Sequence, residues 1–212
     1  LPQKACRHMK SVEEVWCGSF GDSYTRRHRV SPLEVRTQLW RMILPSDCGS
    51  ILEVGANIGH NLEAISHFHD CVFYATEPND FARQELGESA LLPETHITAD
   101  FADKLTWPDN HVDLVFTSGV LIHVPSERLE ASLREIYRCS RRWIIAGEYF
   151  ASSEEMVPYR GHNDILWRRD YGSLYMDMFQ DLSCEGCMFT WKRLTGLDNM
   201  TWWVLQKGNW KH

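Results

Sequence analysis

Short apolar runs alternate with amphipathic segments through the middle of the chain. Five runs have the length and the β-branched or aromatic content of strands: SILEV, CVFYATE, THITAD, HVDLVFTSG and RRWIIAGEYF. Between them, residues 59–68, 79–87 and 126–140 show helical spacing of their apolar positions. Largely apolar strands that alternate with helices form parallel sheets covered on both faces. The pattern therefore predicts a Rossmann-like, doubly wound α/β fold.

The segments on either side of this region predict a helix before it and a hairpin after it. Residues 31–44 have helical spacing, with Ser31 as the N-cap, Pro32 in the first turn and Glu34 completing a capping box. Beyond residue 150 the chain is rich in charged and aromatic residues, which predicts a loop with a short helix. The runs CMFTWKRL and MTWWVLQKG then predict a C-terminal antiparallel hairpin on a mostly parallel, seven-stranded sheet.

The overall charge argues against a nucleic-acid partner. The chain has 22 Lys and Arg against 29 Asp and Glu, which gives a formal net charge of −7. Proteins that bind DNA or RNA normally present a basic face. No apolar run approaches the length that crosses a bilayer, and the N-terminal segment lacks the apolar core of a signal peptide. We therefore expect a cytoplasmic protein that binds neither nucleic acid nor membrane.

The seven cysteines are odd in number and follow no framework spacing, which favours free thiols. Cys184 and Cys187 form a lone C-x-x-C motif without a convincing second ligand pair. We therefore expect no metal site there, and instead two half-buried thiols near a turn at Gly186.

The junction after the first predicted strand, ILEVGANIGHNLEAI, has the spacing E-x-G-x-x-x-G at Glu53, Gly55 and Gly59. Glycines at a strand-to-helix turn allow the backbone to approach a ligand closely. The spacing differs from the G-x-G-x-x-G of nicotinamide-dependent oxidoreductases and lacks the Gly-Lys-Ser/Thr of a P-loop. The motif alone therefore argues against both of those nucleotide sites.

Two acidic residues follow the next two predicted strands. Glu77 ends the second strand, where a carboxylate can accept hydrogen bonds from both hydroxyls of a ribose. Asp100 follows the third strand with Phe101 beside it. An acid can accept from an adenine amino group while an aromatic ring lies on the base. The order of these residues predicts partners for a ribose and an adenine.

These segments, together with TSGVLIHVP after the fourth strand, resemble the ordered motifs of class I S-adenosylmethionine-dependent methyltransferases. In that family the first motif passes close to the methionine and ribose, and the segment after the fourth strand lies under the methyl donor. The resemblance implies S-adenosylmethionine as the cofactor and S-adenosylhomocysteine as the product. The implied cofactor-binding residues are Glu53, Gly55, Ala56, Asn57, Gly59, Glu77, Pro78, Asp100, Phe101, Ser118 and Gly119.

The resemblance also divides the chain, which has no internal repeat or linker. We expect a single methyltransferase domain over residues 1–212, with an N-terminal helical lid (1–48), a cofactor-binding core (49–150), and a substrate loop with the hairpin (151–212). A narrower resemblance covers nearly the whole chain. The segments EEVWCGSFGDSYTRRH, YRGHNDILWRRDYGSLYMDMFQDL and LDNMTWWVLQK resemble methylases associated with pseudaminic acid biosynthesis and their small-molecule relatives.

His123, Tyr24 and His162 are the candidate catalytic residues. His123 follows the fourth strand beside the expected methyl donor, where a neutral imidazole can accept a proton. The alternative is a structural histidine that hydrogen-bonds the loop before Pro125. A general base is needed only when the acceptor loses a proton, and the sequence leaves that open.

Two segments supply candidates for the acceptor site. In the lid, Trp16 can pack over the sulfonium. Arg26, Arg27 or His28 can pair with the cofactor's carboxylate or with an acidic substrate. In the loop after the fifth strand, Arg160 with His162 suits an anionic acceptor. The alternatives are aromatic residues that cover the sheet edge and a solvent-facing loop with internal ion pairs. The full set is Trp16, Tyr24, Arg27, His28, Glu148, Tyr159, Arg160, His162 and Arg169.

We therefore expect an enzyme, a monomer or homodimer, that transfers a methyl group by in-line displacement to a polar or anionic small molecule. One alternative is a non-catalytic relative that keeps the fold and serves as a partner or regulator. Another is an RNA methyltransferase, which the acidic charge balance disfavours.

Overall fold

The computed structural model describes residues 11–208, so the first ten residues of the predicted lid region and residues 209–212 lie outside the description. The strands are β1 (Ser50–Val54), β2 (Val72–Thr76), β3 (Ile97–Thr98), β4 (Val112–Ser118), β5 (Ser140–Glu148), β6 (Glu155–Met156), β7 (Trp167–Arg168), β8 (Leu182–Thr190) and β9 (Met200–Lys207). Seven of them form one sheet in the order β3-β2-β1-β4-β5-β9-β8, while β6 and β7 pair separately.

The first five strands are parallel, and β9 is antiparallel to both β5 and β8. This confirms the predicted doubly wound sheet with a C-terminal antiparallel hairpin. The order reverses between β1 and β4, and the carboxyl ends on either side of such a switch point form the ligand crevice of open α/β sheets. The topology therefore places the ends of β1, β2 and β4 around one site.

The helices are α1 (Val12–Trp16), α2 (Ser19–Arg27), α3 (Leu33–Ile43), α4 (His60–Ser66), α5 (Asp80–Glu88), α6 (Ser126–Cys139), α7 (Tyr171–Met178) and α8 (Lys192–Thr195). Two single 3₁₀ turns add Glu94–His96 and Leu121–His123. No helix between residues 11 and 208 is long and apolar enough to cross a membrane.

Apolar side chains cover both faces of the sheet, as the continuous strand runs predict. Ile51 of β1 packs in a cluster with Trp40 of α3, while the next residue, Leu52, packs in a second cluster with Leu133 of α6 and Tyr175 of α7. All five are at most 1% exposed. Each large apolar side chain buried in this way contributes about 1.5–3 kcal/mol. The core therefore holds the strand ends that carry the polar residues of the site.

Two local predictions are wrong. Ser31 does not cap α3, which begins at Leu33 after Pro32 without a side-chain cap. The Ser31 hydroxyl instead accepts a hydrogen bond from Nε of Arg36 at 2.9 Å. The C-x-x-C motif does not lie at a turn, because Gly186 falls at an irregularity within β8. Cys184 and Cys187 are exposed free thiols, and residues 11–208 contain no cluster able to hold a metal ion.

Candidate functional site

A cavity of ≈ 590 Å³ lies over the carboxyl ends of β1, β2 and β4. Helices α1 and α2 form its roof, and the hairpin of β8 and β9 contributes one wall. Most of the predicted site residues line this cavity. They are Trp16, Tyr24, His28, Glu53, Gly55, Ala56, Asn57, Glu77, Pro78, Asp100, Phe101, Ser118, Gly119, His123, Tyr159 and Arg160.

The loop between β1 and α4 has three residues with positive φ: Gly55 at 71°, Asn57 at 50° and Gly59 at 85°. A Cβ atom on Gly55 would lie 2.6 Å from the Val120 side chain, so only glycine fits this turn. Gly59 is the N-cap of α4 and does not line the cavity; a Cβ there would meet Leu86. Gly55 therefore brings the backbone to the cavity, while Gly59 serves the packing of α4 against α5.

Glu53 is the most unusual charged group of the site, because it is 2% exposed and one of its oxygens has no partner. Its Oε1 accepts from Nδ2 of Asn61 at 2.6 Å, whereas its Oε2 is buried with no hydrogen bond from any described residue. Burial raises the pKa of Glu53 to about 8, against the opposing effects of Asn61 and of the positive charge on Arg36. The nearby Leu62 N–H also acts to lower this pKa, but it is not placed to form a full hydrogen bond with Oε2. An orphaned carboxylate oxygen at a cavity wall is a site for a cationic donor.

Glu77 connects the glycine loop with the start of α5. Its Oε2 accepts from the backbone N–H of Asn57, and its Oε1 accepts from the backbone N–H of Asn79, both at 2.8 Å. Burial raises the pKa of Glu77, while these two backbone donors act in the opposite direction. The carboxylate is thus held rigidly at the cavity wall, with lone pairs left for further donors.

Asp100 receives three hydrogen bonds on a single oxygen. Its Oδ2 accepts from the hydroxyl of Thr98 at 2.8 Å, and from the N–H and hydroxyl of Thr106 at 2.9 and 2.7 Å. This arrangement fixes the carboxylate and leaves Oδ1 without a bond from any described residue. The neighbouring Phe101 ring has the Arg128 guanidinium 5.5 Å from its centroid. Arg128 also forms ion pairs with Glu13 of α1 and with Asp103.

Two asparagines attach the roof helices to the loops below. Nδ2 of Asn79 donates to the carbonyl of Trp16 at 2.9 Å and to Oδ1 of Asp22 at 3.0 Å. Nδ2 of Asn57 donates to the hydroxyl of the buried Thr25 at 2.9 Å. Gly21 allows this close approach, because a Cβ at that position would lie 1.8 Å from the Trp16 carbonyl oxygen. The roof is therefore docked by specific hydrogen bonds and close packing.

Aromatic side chains meet below the roof. The Trp16 ring lies 5.3 Å from that of Tyr24 and 4.4 Å from that of His123, and His123 lies 5.6 Å from Tyr159. Burial raises the pKa of Tyr24 to about 12, so its hydroxyl remains protonated at neutral pH. This part of the cavity therefore combines aromatic faces with neutral hydrogen-bonding groups.

His123 is fixed in one tautomer. Its Nδ1 lies 2.5 Å from the carbonyl oxygen of Ile165, and because a carbonyl only accepts, Nδ1 carries the proton. Burial lowers the pKa of His123 to about 4, so the ring is neutral at physiological pH. Nε2 is consequently a free acceptor in the cavity wall. The contact with Ile165 also makes the residue structural, so the two predicted roles of His123 are compatible.

Glu148 and Arg169, predicted to bind substrate, do not line the cavity. Glu148 is fully buried at the end of β5, and it accepts three hydrogen bonds of 3.2–3.3 Å from the backbone N–H groups of residues 120–122. Arg169 is 2% exposed, pairs with Glu154, and donates to the carbonyls of Leu121 and Val124. Both residues hold the loop that carries His123, which corrects the expectation of direct acceptor contact.

Arg27 and His162 also lie outside the main cavity. Both line a neighbouring groove on the outer side of α2, and Arg160 lines both the groove and the cavity. His162 is therefore displaced from the aromatic part of the cavity in which Tyr24 and His123 lie, contrary to the expectation of a catalytic position.

Several cavity residues have no counterpart in the sequence prediction. Arg36 donates to Oδ1 of Asn61 at 2.6 Å. It shares a helix face with Trp40, and a charged residue on the apolar face of a helix is the feature of the sequence that could have marked it as a site residue. The other cavity residues of this kind include Lys192, Asp198 and Met200. They come from the hairpin and the segment that joins its strands, and no local pattern marks them.

Comparisons with known proteins agree with this geometry. Residues 52–142 match the family model described as a methyltransferase domain. A comparison with curated proteins gives no match. The chain resembles the solved structure of Burkholderia thailandensis 1,6-didemethyltoxoflavin-N1-methyltransferase with bound 1,6-didemethyltoxoflavin and S-adenosylhomocysteine. The identity is 11%, the TM-score 0.70, and the alignment covers 93% of this chain and 88% of that one.

Two further solved structures have the same fold. Magnesium protoporphyrin IX methyltransferase from Synechocystis, with bound S-adenosylmethionine, shares 13% identity at a TM-score of 0.65, covering 94% of this chain and 99% of that one. Phosphoethanolamine N-methyltransferase 1 of Haemonchus contortus, with phosphoethanolamine and S-adenosylhomocysteine, shares 16% identity at 0.67, covering 94% of this chain and 50% of that one. The match over residues 52–142 and these solved structures agree on the Rossmann-like fold of a methyltransferase domain.

Proposed function

We propose that this chain transfers a methyl group from S-adenosylmethionine to a polar or anionic small molecule bound beneath α1 and α2. The observation that carries the proposal is the buried carboxylate of Glu53, a cavity-lining residue beside a glycine turn whose Oε2 has no hydrogen-bond partner among the described residues. A zwitterionic amino-acid end of a cofactor supplies the cation that this oxygen lacks.

The cavity residues fit the cofactor in three places. Gly55 brings the backbone close to the cavity, because the turn has no room for a side chain there. Glu77 presents a fixed carboxylate to a ribose at the end of β2. Asp100 keeps one oxygen free beside Phe101 for an adenine. The cofactor would lie along the row of strand ends, with its amino-acid end near Glu53 and its base near Asp100.

S-adenosylmethionine supplies an activated methyl group when bound, so this chain has mainly to align the acceptor and exclude water. Alignment of two reactants contributes up to about 7–11 kcal/mol to catalysis in favourable cases. The roof of Trp16 and Tyr24 closes the acceptor side, and its attachment through Asn57 and Asn79 keeps it in place. Nε2 of His123 is the available proton acceptor for a hydroxyl or ammonium group.

The class of acceptor follows from the polar groups on the hairpin side. Tyr149, Tyr159 and Arg160 line the cavity there, and Lys192 pairs with Asp198 at 2.8 Å. These groups suit a hydroxylated molecule with an anionic substituent. We extend the proposal to a sugar-derived acceptor, which the narrower resemblance to pseudaminic acid-associated methylases supports. A non-catalytic or RNA-directed role has no specific feature of this site in its favour.

Binding of S-adenosylhomocysteine, S-adenosylmethionine and NAD, measured by titration calorimetry, tests the cofactor half of the proposal. We expect the first two to bind and NAD not to bind. Replacing Glu77 with Ala should weaken binding about 10- to 100-fold, because a hydrogen bond to a charged group is worth about 1.5–3 kcal/mol. Glu94, exposed before β3 at the amino end of the parallel strands, provides the matched Glu94→Ala control. Equal affinities in both variants would contradict the placement of the ribose.

The acceptor half is tested by a screen of acidic sugars, hydroxy acids and amines for formation of S-adenosylhomocysteine. His123→Ala and His123→Gln should lower the turnover of an acceptor that loses a proton, at unchanged cofactor affinity. A cofactor-binding protein that methylates no member of the screen would favour the non-catalytic alternative.

A further inference from the structure

A second concave surface adjoins the cavity on the outer side of the roof. This groove has a volume of ≈ 460 Å³, and one of its walls comes from α1 and α2 while the other comes from the loop between β6 and β7. Its lining includes Glu14, Phe20, Arg27, Arg160 and His162. Arg160 lines both the groove and the main cavity, so the two spaces meet at this side chain.

The arginines of the groove are not neutralised by the protein. Eight other arginines in the described part of the chain form ion pairs with carboxylates. Five more in the same part have no such pair, but none of these five lines the groove: Arg26, Arg36, Arg41, Arg168 and Arg193. Arg27 and Arg160 have no carboxylate within ion-pair distance among residues 11–208. The acidic residue of the groove, Glu14, uses its carboxylate to accept from the backbone N–H of Ser11 at 2.9 Å. The groove therefore offers two guanidinium groups that pair with no carboxylate, and its one carboxylate, Glu14, is held by the start of α1.

The loop that carries Arg160 is a tight turn. Tyr159 and His162 exchange two backbone hydrogen bonds of 2.7 and 2.9 Å, and the two residues between them have positive φ, 49° at Arg160 and 88° at Gly161. Such a two-residue turn favours Asn, Asp or Gly at its first position, so an arginine there holds an unfavourable backbone conformation. A strained residue at the mouth of a ligand site indicates a functional constraint.

The aromatic contacts hold this turn against the roof. The Phe20 ring of α2 lies 5.1 Å from that of His162 and 6.3 Å from that of Tyr159. Arg160 in turn donates from Nε to the Tyr159 hydroxyl at 3.4 Å, with its guanidinium 5.6 Å from the ring centroid. The cationic group is thus placed beside an aromatic cluster at the point where the groove and the cavity meet.

We propose that this groove binds an oxyanion, a phosphate or a carboxylate, on the distal end of the methyl acceptor, whose reacting end lies in the cavity. Arg27 and Arg160 hold the anion by charge-assisted hydrogen bonds, and His162 supplies a third donor. The proposal rests on the proposed function, and it adds that the acceptor is long enough to pass from the aromatic part of the cavity to the outer side of α2.

Titration of the protein loaded with S-adenosylhomocysteine tests the groove without knowledge of the acceptor. The probes are inorganic pyrophosphate and citrate, measured separately by calorimetry at low ionic strength. We expect at least one to bind, and we expect Arg27→Gln and Arg160→Gln each to weaken that binding tenfold or more. Binding of either probe supports the proposal, and the tighter probe identifies phosphate or carboxylate as the favoured anion.

Arg134→Gln is the matched control, because it removes the same charge from an exposed position on α6. It should change probe affinity less than twofold, and all three variants should keep the wild-type melting temperature and affinity for S-adenosylhomocysteine. Absence of binding by both probes, or an equal loss in Arg134→Gln, would overturn the proposal. Failure of the wild type to bind S-adenosylhomocysteine would instead overturn the proposed function, and a parallel anion titration of the free protein keeps the two outcomes distinguishable.

Discussion

Replacing Glu53 with Gln removes the ionisable group that we place beside the amino-acid end of the cofactor. Burial raises the pKa of Glu53 to about 8. At pH 7 about nine in ten of these side chains are therefore protonated in the free protein. A cationic ammonium beside Oε2 favours the carboxylate form, because an opposite charge lowers the pKa of an acid. Binding of the cofactor at pH 7 should therefore release about 0.9 proton from this residue.

The same change predicts how affinity depends on pH. If the pKa of Glu53 in the complex lies well below 6, the association constant rises roughly 50-fold between pH 6 and pH 8 and then levels off. Above pH 8 the α-amino group of the ligand loses its own proton, which opposes binding. In Glu53→Gln the rise below pH 8 should disappear, while the decline above pH 8 remains.

Titration calorimetry with S-adenosylhomocysteine at pH 7, in two buffers of different ionisation enthalpy, counts the protons directly. 5′-Methylthioadenosine is the control ligand, because it lacks both the ammonium and the carboxylate, and it should bind without proton release. Equal proton release by the wild type and Glu53→Gln would refute our account of the orphaned oxygen.

Three further predictions concern stability, measured by urea denaturation. Burial raises the pKa of Glu148 to about 7, so the free energy of unfolding should fall by up to about 3 kcal/mol as the pH rises from 4.5 to 7. Glu148→Gln should lack this fall, and an equal fall in the variant would contradict the assignment to Glu148. Burial lowers the pKa of His123 to about 4, so the free energy of unfolding should fall as the pH drops from 6.5 toward 4. His123→Gln should lack this pH dependence, and the same pH dependence in the variant and the wild type would count against a buried neutral His123. Gly21→Ala should cost about 1–3 kcal/mol and expose the roof to protease, whereas Gly87→Ala in α5, whose Cβ meets nothing closer than 4.0 Å, should be neutral or stabilising; similar effects would show that the roof is not closely packed.

The elements of the sheet were predictable because their signal is local. Each parallel strand is a short apolar run, and the glycine turn and Glu77 lie at strand ends that the topology must bring together. The cofactor side of the cavity is built from such strand ends. Its residues could therefore be named from sequence before any contact was known.

The acceptor side was less predictable because its contacts are long-range. Arg169 lies in a charged loop that is indistinguishable from a solvent-facing one, yet it binds carbonyls 45 and 48 residues away and is buried. Ser31 had the pattern of a cap, but Arg36 competes for its hydroxyl. For Arg169 the deciding partners lie far away in sequence. For Ser31 the partner is only five residues away, but the spacing of apolar positions does not record a bond between two polar side chains.

The two asparagines at the roof have a consequence for the order of events. The backbone N–H groups of Asn57 and Asn79 bind the Glu77 carboxylate, while their side chains bind α2 and the end of α1. A ligand that hydrogen-bonds Glu77 therefore contacts the carboxylate that orders Asn57 and Asn79, and these two residues also hold the roof over the acceptor. This arrangement favours a compulsory-order mechanism in which the cofactor enters first, and product-inhibition kinetics should show S-adenosylhomocysteine competing with S-adenosylmethionine alone.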